Sequence, residues 1–224
     1  MRRLSFIKDC LLDVRLICLF FLLQFPSLRA FYKYLPGHLH KFVPLFLLLI
    51  YLASALFLKA AASLKWFRIF LSRKIVFIGL IFIVIVINAF VYPIADSLKY
   101  WGRGSDQDDA LIVTALNLIS GRNPYEARTY FHINPISPGP GWIILNIPFT
   151  LTGLYFLLVP TYLFTLLFFI KKISKGYYLP NIFLVLCISS LAFWETTVVG
   201  SDMFAIGVLL TLAFASFFYG INKG

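Results

Sequence analysis

Residues 94–140, IADSLKYWGRGSDQDDALIVTALNLISGRNPYEARTYFHINPISPGPG, hold the side chains best suited to chemistry. Five of the nine acidic residues lie there: Asp96, Asp106, Asp108, Asp109 and Glu126. Asp106, Asp108 and Asp109 fall within four consecutive positions. Clustered carboxylates of this kind can serve as a general base, and functional sites are where such groups gather. They also offer hard oxygen ligands to a divalent cation, although no metal is assigned. Arg103, Arg122 and Arg128 share the segment. A guanidinium grips phosphate in bidentate fashion, so these three can hold a substrate phosphate or meet lipid headgroups. His132 either contacts a substrate phosphate or makes a loop hydrogen bond, and no second His or Cys lies near enough for a zinc site.

The acids have a plainer reading. Ser105 followed by Asp108 is an S-x-x-D capping pattern, and carboxylates favour the positive end of a helix by about 0.3–1 kcal/mol each. Capping accounts for one or two acids. It does not account for three in four positions facing anionic headgroups, where like charges repel, so a functional carboxylate is the favoured reading.

What must position these groups is membrane-embedded. The chain is 61% hydrophobic with a mean hydropathy of +0.89, and only 13% of residues are charged. Such a chain cannot supply the polar surface of a soluble domain. The net charge of +11 does not point to nucleic acid, because the basic residues sit in short runs between apolar segments, where they orient helices and meet headgroups. Cys10, Cys18 and Cys187 lie outside the long loop and imply no disulfide framework.

The expected fold class is all-α: a polytopic transmembrane helical protein with five or six spans and an extracytoplasmic loop bearing a juxtamembrane amphipathic helix. Apolar runs near 42–58, 75–93 and 203–219 suit bilayer crossing, and a further span is expected near 179–194. The run 141–170 would measure about 45 Å as one helix against a core of about 30 Å. It is read as an interfacial or re-entrant piece over 142–152 and a crossing over 154–170. Residues 11–25 are open between a first span, an interfacial helix and a cleaved signal. The organisation is therefore 1–41, an N-terminal segment; 42–93, two transmembrane helices; 94–140, the outer loop; and 141–224, a re-entrant segment with three transmembrane helices.

Orientation follows the basic residues. Lys59, Lys65, Arg68, Arg73 and Lys74 fill one loop, and Lys171, Lys172 and Lys175 another. Both are expected in the cytoplasm, which places 94–140 outside, with Asp202 returning to the same face. Within the outer loop, Leu111, Ile112, Ala115, Leu116 and Ile119 recur at helical spacing. The spacing predicts a helix over 107–120, lying in the headgroup plane with that stripe on lipid and ending at Gly121. Asn123-Pro124 is a turn, and Pro135, Pro138 and Pro140 fix an extended return path. Tyr125, Tyr130, Phe131 and Trp142 are interfacial anchors or a sugar-stacking platform, anchors being the favoured reading for most of them.

The order of these motifs resembles a known family. G-x-D-x-D-D-A at 104–110, a helix, G-R-N-P-Y at 121–125, S-P-G-P-G-W at 137–142 and the pair Pro148-Phe149 resemble the first outer loop of GT-C superfamily glycosyltransferases. The likeness is greatest to the polyprenyl-phosphate-sugar-dependent mannosyltransferase and arabinosyltransferase-like branch. Gly200-Ser201-Asp202 before an apolar run resembles a later family helix that starts at the outer face. The resemblance covers roughly residues 75–219 with degenerate motifs. It implies that Asp106 is the catalytic acid position, with Asp108 and Asp109 as second candidates. It also implies a polyprenyl-phosphate sugar donor flipped to the outer face, transfer to an acceptor hydroxyl, and Arg103, Arg122, Arg128, His132 and Asp202 around the substrate. The expected location is multi-pass and integral to the plasma membrane, with residues 94–140 extracytoplasmic.

Two departures stand against the resemblance. Family members are far longer with more spans, so a missing C-terminal half or a partner membrane subunit is implied. The loop here also follows the second or third span, whereas the family's follows the first. The alternatives are a transporter or flippase subunit and a non-catalytic scaffold. A transporter would place ionisable residues at mid-membrane depth, and these spans are almost free of charge. A scaffold would depend on no single acid.

Overall fold

The computed structural model describes residues 27–98, 107–126 and 138–221. All regular structure among them is helical. The helices are α1 (Ser27–Tyr34), α2 (Val43–Ser63), α3 (Lys65–Leu71), α4 (Lys74–Ser97), α5 (Gln107–Ile119), α6 (Pro140–Leu151), α7 (Leu158–Ser174), α8 (Tyr178–Ile188), α9 (Leu191–Val198) and α10 (Met203–Ile221). Short 3-10 turns at Gly37–Phe42 and Tyr155–Leu157 lead into α2 and α7.

Among the described residues three helical stretches are long and apolar enough to cross a membrane: Gly37–Ser63, Lys74–Ser97 and Tyr155–Ser174. Their 27, 24 and 20 residues each rise about 30 Å or more, the thickness of a bilayer core. They fall on the expected runs at 42–58, 75–93 and 154–170. The expected break before the last of these is present, since α6 ends at Leu151 and the chain turns before Tyr155. With 12 residues, α6 rises about 18 Å and is too short to cross. Helix α10 covers the expected run 203–219, and over Met203–Phe217 it counts as a shorter apolar helix. Residues 11–25 lie outside the described residues.

The run expected as one span near 179–194 is two helices, α8 and α9, bent by 80°. Among the described residues the candidate spans number three, or four if this pair is counted as one. The bend occurs at Ser189-Ser190, and its freed polar groups find local partners. The Trp194 indole donates to Ile188 O at 2.7 Å, and the Ser189 hydroxyl donates to Leu186 O at 2.7 Å. The Ala192 amide donates to Ser27 Oγ at 3.0 Å, and the Phe193 amide to Ser190 Oγ at 3.4 Å. A helix end in apolar surroundings needs such partners, because an orphaned backbone group there costs several kcal/mol, roughly. Apolar length alone cannot foresee the bend, since the chain's hydrocarbon character continues through it.

The chain divides into two compact units. The first comprises Met1–Leu80 and Leu167–Glu195. Within it, the Tyr178 hydroxyl donates to Ala61 O at 2.8 Å, and buried Asn181 donates to Leu71 O at 2.6 Å. These two side chains of α8 satisfy carbonyls at the ends of α2 and α3 and hold the two basic loops at one end of the unit. Lys33 on α1 pairs with Glu195 at 3.2 Å.

The second unit comprises Ile81–Leu166 and Thr196–Gly224. Its core is built from Leu111 and Ala115 of α5, Ile143 of α6, Tyr155, Leu158 and Val159 at the start of α7, and Ala205 of α10. Helix α5 forms where the spacing predicts it, but the stripe expected to lie on lipid is split. Leu111 and Ala115 are fully buried against α6, whereas Leu116 and Ile119 are exposed. The helix buries Asp108, Asp109, Val113 and Thr114 as well, so its inward face is not the apolar one alone. At the far end Gly121 adopts φ +70, with Arg122 N bonded to Asn117 O at 2.9 Å and Gly121 N to Leu118 O at 3.2 Å. This paired closure needs a residue tolerant of left-handed backbone, which is why the helix stops at glycine.

Candidate functional site

All elements of the site belong to the second unit. The first turn of α5 carries Asp108 and Asp109, only 1% and 3% exposed. Burying an ionisable group is costly without a partner, and Asp108 has one: the Tyr92 hydroxyl of α4 donates to Asp108 Oδ2 at 2.7 Å. Tyr92 in turn stacks on Tyr155, with ring centroids 6.0 Å apart. Tyr155 is itself buried.

Gly200 closes this cluster from the C-terminal end of α9. Its φ is +69, and Ser201 N bonds to Thr196 O at 2.9 Å to end the helix. A Cβ placed there would stand 2.8 Å from Asp108 Cβ, 2.9 Å from Tyr92 Cε2 and 3.1 Å from Tyr155 Cε1. Only a bare backbone fits between the acid and the two rings. The Gly200-Ser201-Asp202 segment stands out in the sequence, whereas Tyr92 and Tyr155 do not. A tyrosine near the end of an apolar run looks like an interfacial anchor, and nothing local marks it as the partner of a buried acid.

Two residues beyond Gly200, Asp202 precedes α10 and faces a different environment. The Trp142 indole N–H donates to Asp202 Oδ2 at 2.5 Å. Trp142 is held by its own neighbours: Asn146 donates to Trp142 O at 2.8 Å, Tyr162 donates to Asn146 Oδ1 at 3.1 Å, and the Trp142 and Tyr162 rings lie 5.3 Å apart. Burial raises the Asp202 carboxyl above the usual carboxylate range, while the hydrogen bonds from Trp142 and from its own backbone amide pull it back.

Asp202 and Trp142 line a cavity of about 540 Å³. That volume is ordinary for a small-molecule site. Gln107, at the start of α5, and Pro138, Gly139 and Gly141 complete its polar end. Leu145, Met203, Ile206, Leu209 and Leu210 form an apolar wall along α6 and α10. The turn after α5 reaches the same rim. Tyr125 N bonds to Asn123 Oδ1 at 3.1 Å, and the Tyr125 hydroxyl donates to Pro138 O at 3.1 Å.

The site residues expected from sequence are therefore dispersed. Asp202 lines the cavity. Asp108 and Asp109 do not line it; they are buried in α5. Arg122 is exposed beyond the far end of α5, roughly 20 Å along the helix axis from Gln107, and is not beside Asp202. Asp106, Arg103, Arg128 and His132 lie outside the described residues. Among the described residues no cluster of three or more His, Cys, Asp or Glu is placed to hold a metal ion.

What the fold and composition define is an all-helical protein with several helices long and apolar enough to span a membrane. No protein-family model, curated protein or solved structure matches the chain.

Proposed function

We propose that this chain is a membrane glycosyltransferase, acting with a further C-terminal half or a partner membrane subunit. It would transfer a sugar from a polyprenyl-phosphate donor to an acceptor hydroxyl at the outer face of the plasma membrane. One observation carries the reading. A carboxylate and an indole, Asp202 and Trp142, are hydrogen-bonded at the polar end of a cavity whose other wall is the apolar side of α6 and α10. A lipid-linked sugar has that same division, with a polar ring at one end and a hydrocarbon chain at the other.

In this reading Trp142 offers its face to the sugar, and Met203, Ile206 and Leu210 accept the start of the lipid chain. The acceptor hydroxyl gives its proton to a carboxylate as its oxygen bonds to the sugar's anomeric carbon. The bond to phosphate breaks, and the polyprenyl phosphate leaves with the electron pair. Asp106 is the proposed base; its neighbour Gln107 lines the cavity. Asp202, which lines that cavity, is proposed as a second carboxylate for the reaction, and its raised pKa suits proton acceptance nearer neutral pH. Arg103, Arg128 and His132 are proposed around the donor phosphate, and Arg122, remote along α5, is assigned to lipid headgroups. The convergence of the two basic loops at one end of the first unit supports a cytoplasmic side for them and an outer side for 94–140.

The test is sugar transfer in membranes supplied with a radiolabelled polyprenyl-phosphate hexose. Asp106→Asn and Asp202→Asn should each be expressed, and at least one should lose about 10²–10⁴-fold in rate. Transfer at the wild-type rate in both would leave the cavity without a base and favour a scaffold.

A further inference from the structure

The first unit carries a second feature, independent of the cavity. No Asp or Glu occurs between residues 14 and 95 or between residues 127 and 194. Eight cations lie in two short stretches inside those gaps: Lys59, Lys65, Arg68, Arg73 and Lys74 in one, Lys171, Lys172 and Lys175 in the other. The fold brings the two stretches together through adjacent tyrosines at the start of α8. Arg68 stands 5.9 Å over the Tyr178 ring, and Lys171 stands 4.7 Å over the Tyr177 ring. Tyr178 is pinned by its hydrogen bond to Ala61 O, and Tyr177 packs on Phe77 at 5.4 Å.

Arg68 also donates to Ala62 O, so its guanidinium is held in place with further N–H groups to spare. Around it α3 is exposed and mixed in character. Trp66 is 67% exposed, with Ile69 and Phe70 beside it and Lys65 among them. Arg73, Lys74 and Lys172 are exposed as well. A seven-residue helix with solvent-facing Trp, Ile and Phe between cations suits the boundary of acyl chains and headgroups. It connects two stretches long and apolar enough to cross a membrane.

We propose that this platform is a binding site for the phosphate of an anionic phospholipid. Arg68 and Lys171 are its central contacts, Lys65, Arg73, Lys74 and Lys172 flank it, and Trp66, Ile69 and Phe70 rest in the acyl boundary. The charge argument selects the ligand. Two adjoining stretches with eight cations and no acidic residue in either call for a multivalent or clustered anion, and in a bilayer that anion is a lipid phosphate. Arg is suited to gripping it by two parallel hydrogen bonds, with Lys as a point charge beside it.

The experiment is native mass spectrometry of the full chain in detergent, titrated with phosphatidylglycerol or with phosphatidylcholine of the same acyl chains. Phosphatidylglycerol should be retained preferentially, and the preference should shrink as salt is raised before transfer. The double variant Arg68→Gln/Lys171→Gln should bind it about 30-fold more weakly, roughly five-fold per neutralised cation. Arg29→Gln/Lys41→Gln is the charge-matched control, because Lys41 lies at the opposite end of α2. Equal retention of the two lipids by the wild-type protein would overturn the proposal without any variant. So would a loss in the control as large as in the double variant, which would reduce the effect to net charge. Either result leaves the glycosyltransferase reading untouched, since no residue of the cavity takes part.

Discussion

Gly200→Ala is the sharpest test of how the acid cluster is held. Two costs act on it. The backbone at φ +69 is left-handed, which costs an L-residue roughly 1–2 kcal/mol. The added methyl also meets Asp108 Cβ at 2.8 Å and Tyr92 Cε2 at 2.9 Å, closer than carbon atoms approach, and overpacking of this kind costs about 1–3 kcal/mol. Gly121→Ala separates the two terms. Its φ is +70, yet nothing lies within 4 Å of where its Cβ would stand, so it bears the backbone cost alone. For a chain of this size about 1 kcal/mol shifts Tm by roughly 2–4 °C. The expected falls are therefore about 2–8 °C for Gly121→Ala and about 4–20 °C for Gly200→Ala, with the second larger by at least 2 °C or so. Thermal unfolding in detergent, followed by tryptophan fluorescence, reads both. Equal shifts, or a smaller one at Gly200, would refute the claim that Asp108, Tyr92 and Tyr155 close on this backbone.

Tyr92→Phe removes the donor to buried Asp108 and should destabilise by about 1–3 kcal/mol, whereas Asp108→Asn keeps an acceptor for the same hydroxyl and should cost less; the order is checked by denaturant melts. Asp202→Asn should change stability with pH. A carboxyl raised in the folded state keeps its proton after the unfolded chain has released it, so wild-type stability falls as pH rises through that window. The variant should match wild type near pH 4 and exceed it near pH 7, since Asn still accepts the Trp142 N–H; a variant that is relatively weaker at pH 7 would contradict the burial of Asp202. Asn181→Leu should cost about 1–3 kcal/mol by orphaning Leu71 O, and limited proteolysis should then cut first near the end of α3.

Hydrocarbon length determined much of this protein before any contact was known. The runs at 42–58, 75–93 and 154–170 emerge as helices because each is long enough to cross a bilayer and its backbone must bond to itself there. The stop of α5 at Gly121 was legible for the same local reason, as left-handed closure needs a residue without Cβ. Periodicity was less reliable. Leu111, Ala115, Leu116 and Ile119 share helical spacing, but only the first two of these four are buried, because a stripe says which residues are apolar and not what covers them. The acid cluster shows the limit most clearly. In sequence Asp108 and Asp109 stand beside Asp106 as second candidates for the same role. In space they are buried on the inward face of α5, Asp108 held by Tyr92, while Asp202 from the far end of the chain reaches the cavity. Whether a carboxylate is sealed or open depends on residues distant in sequence, Tyr92, Trp142 and Gly200, and only tertiary packing brings those together.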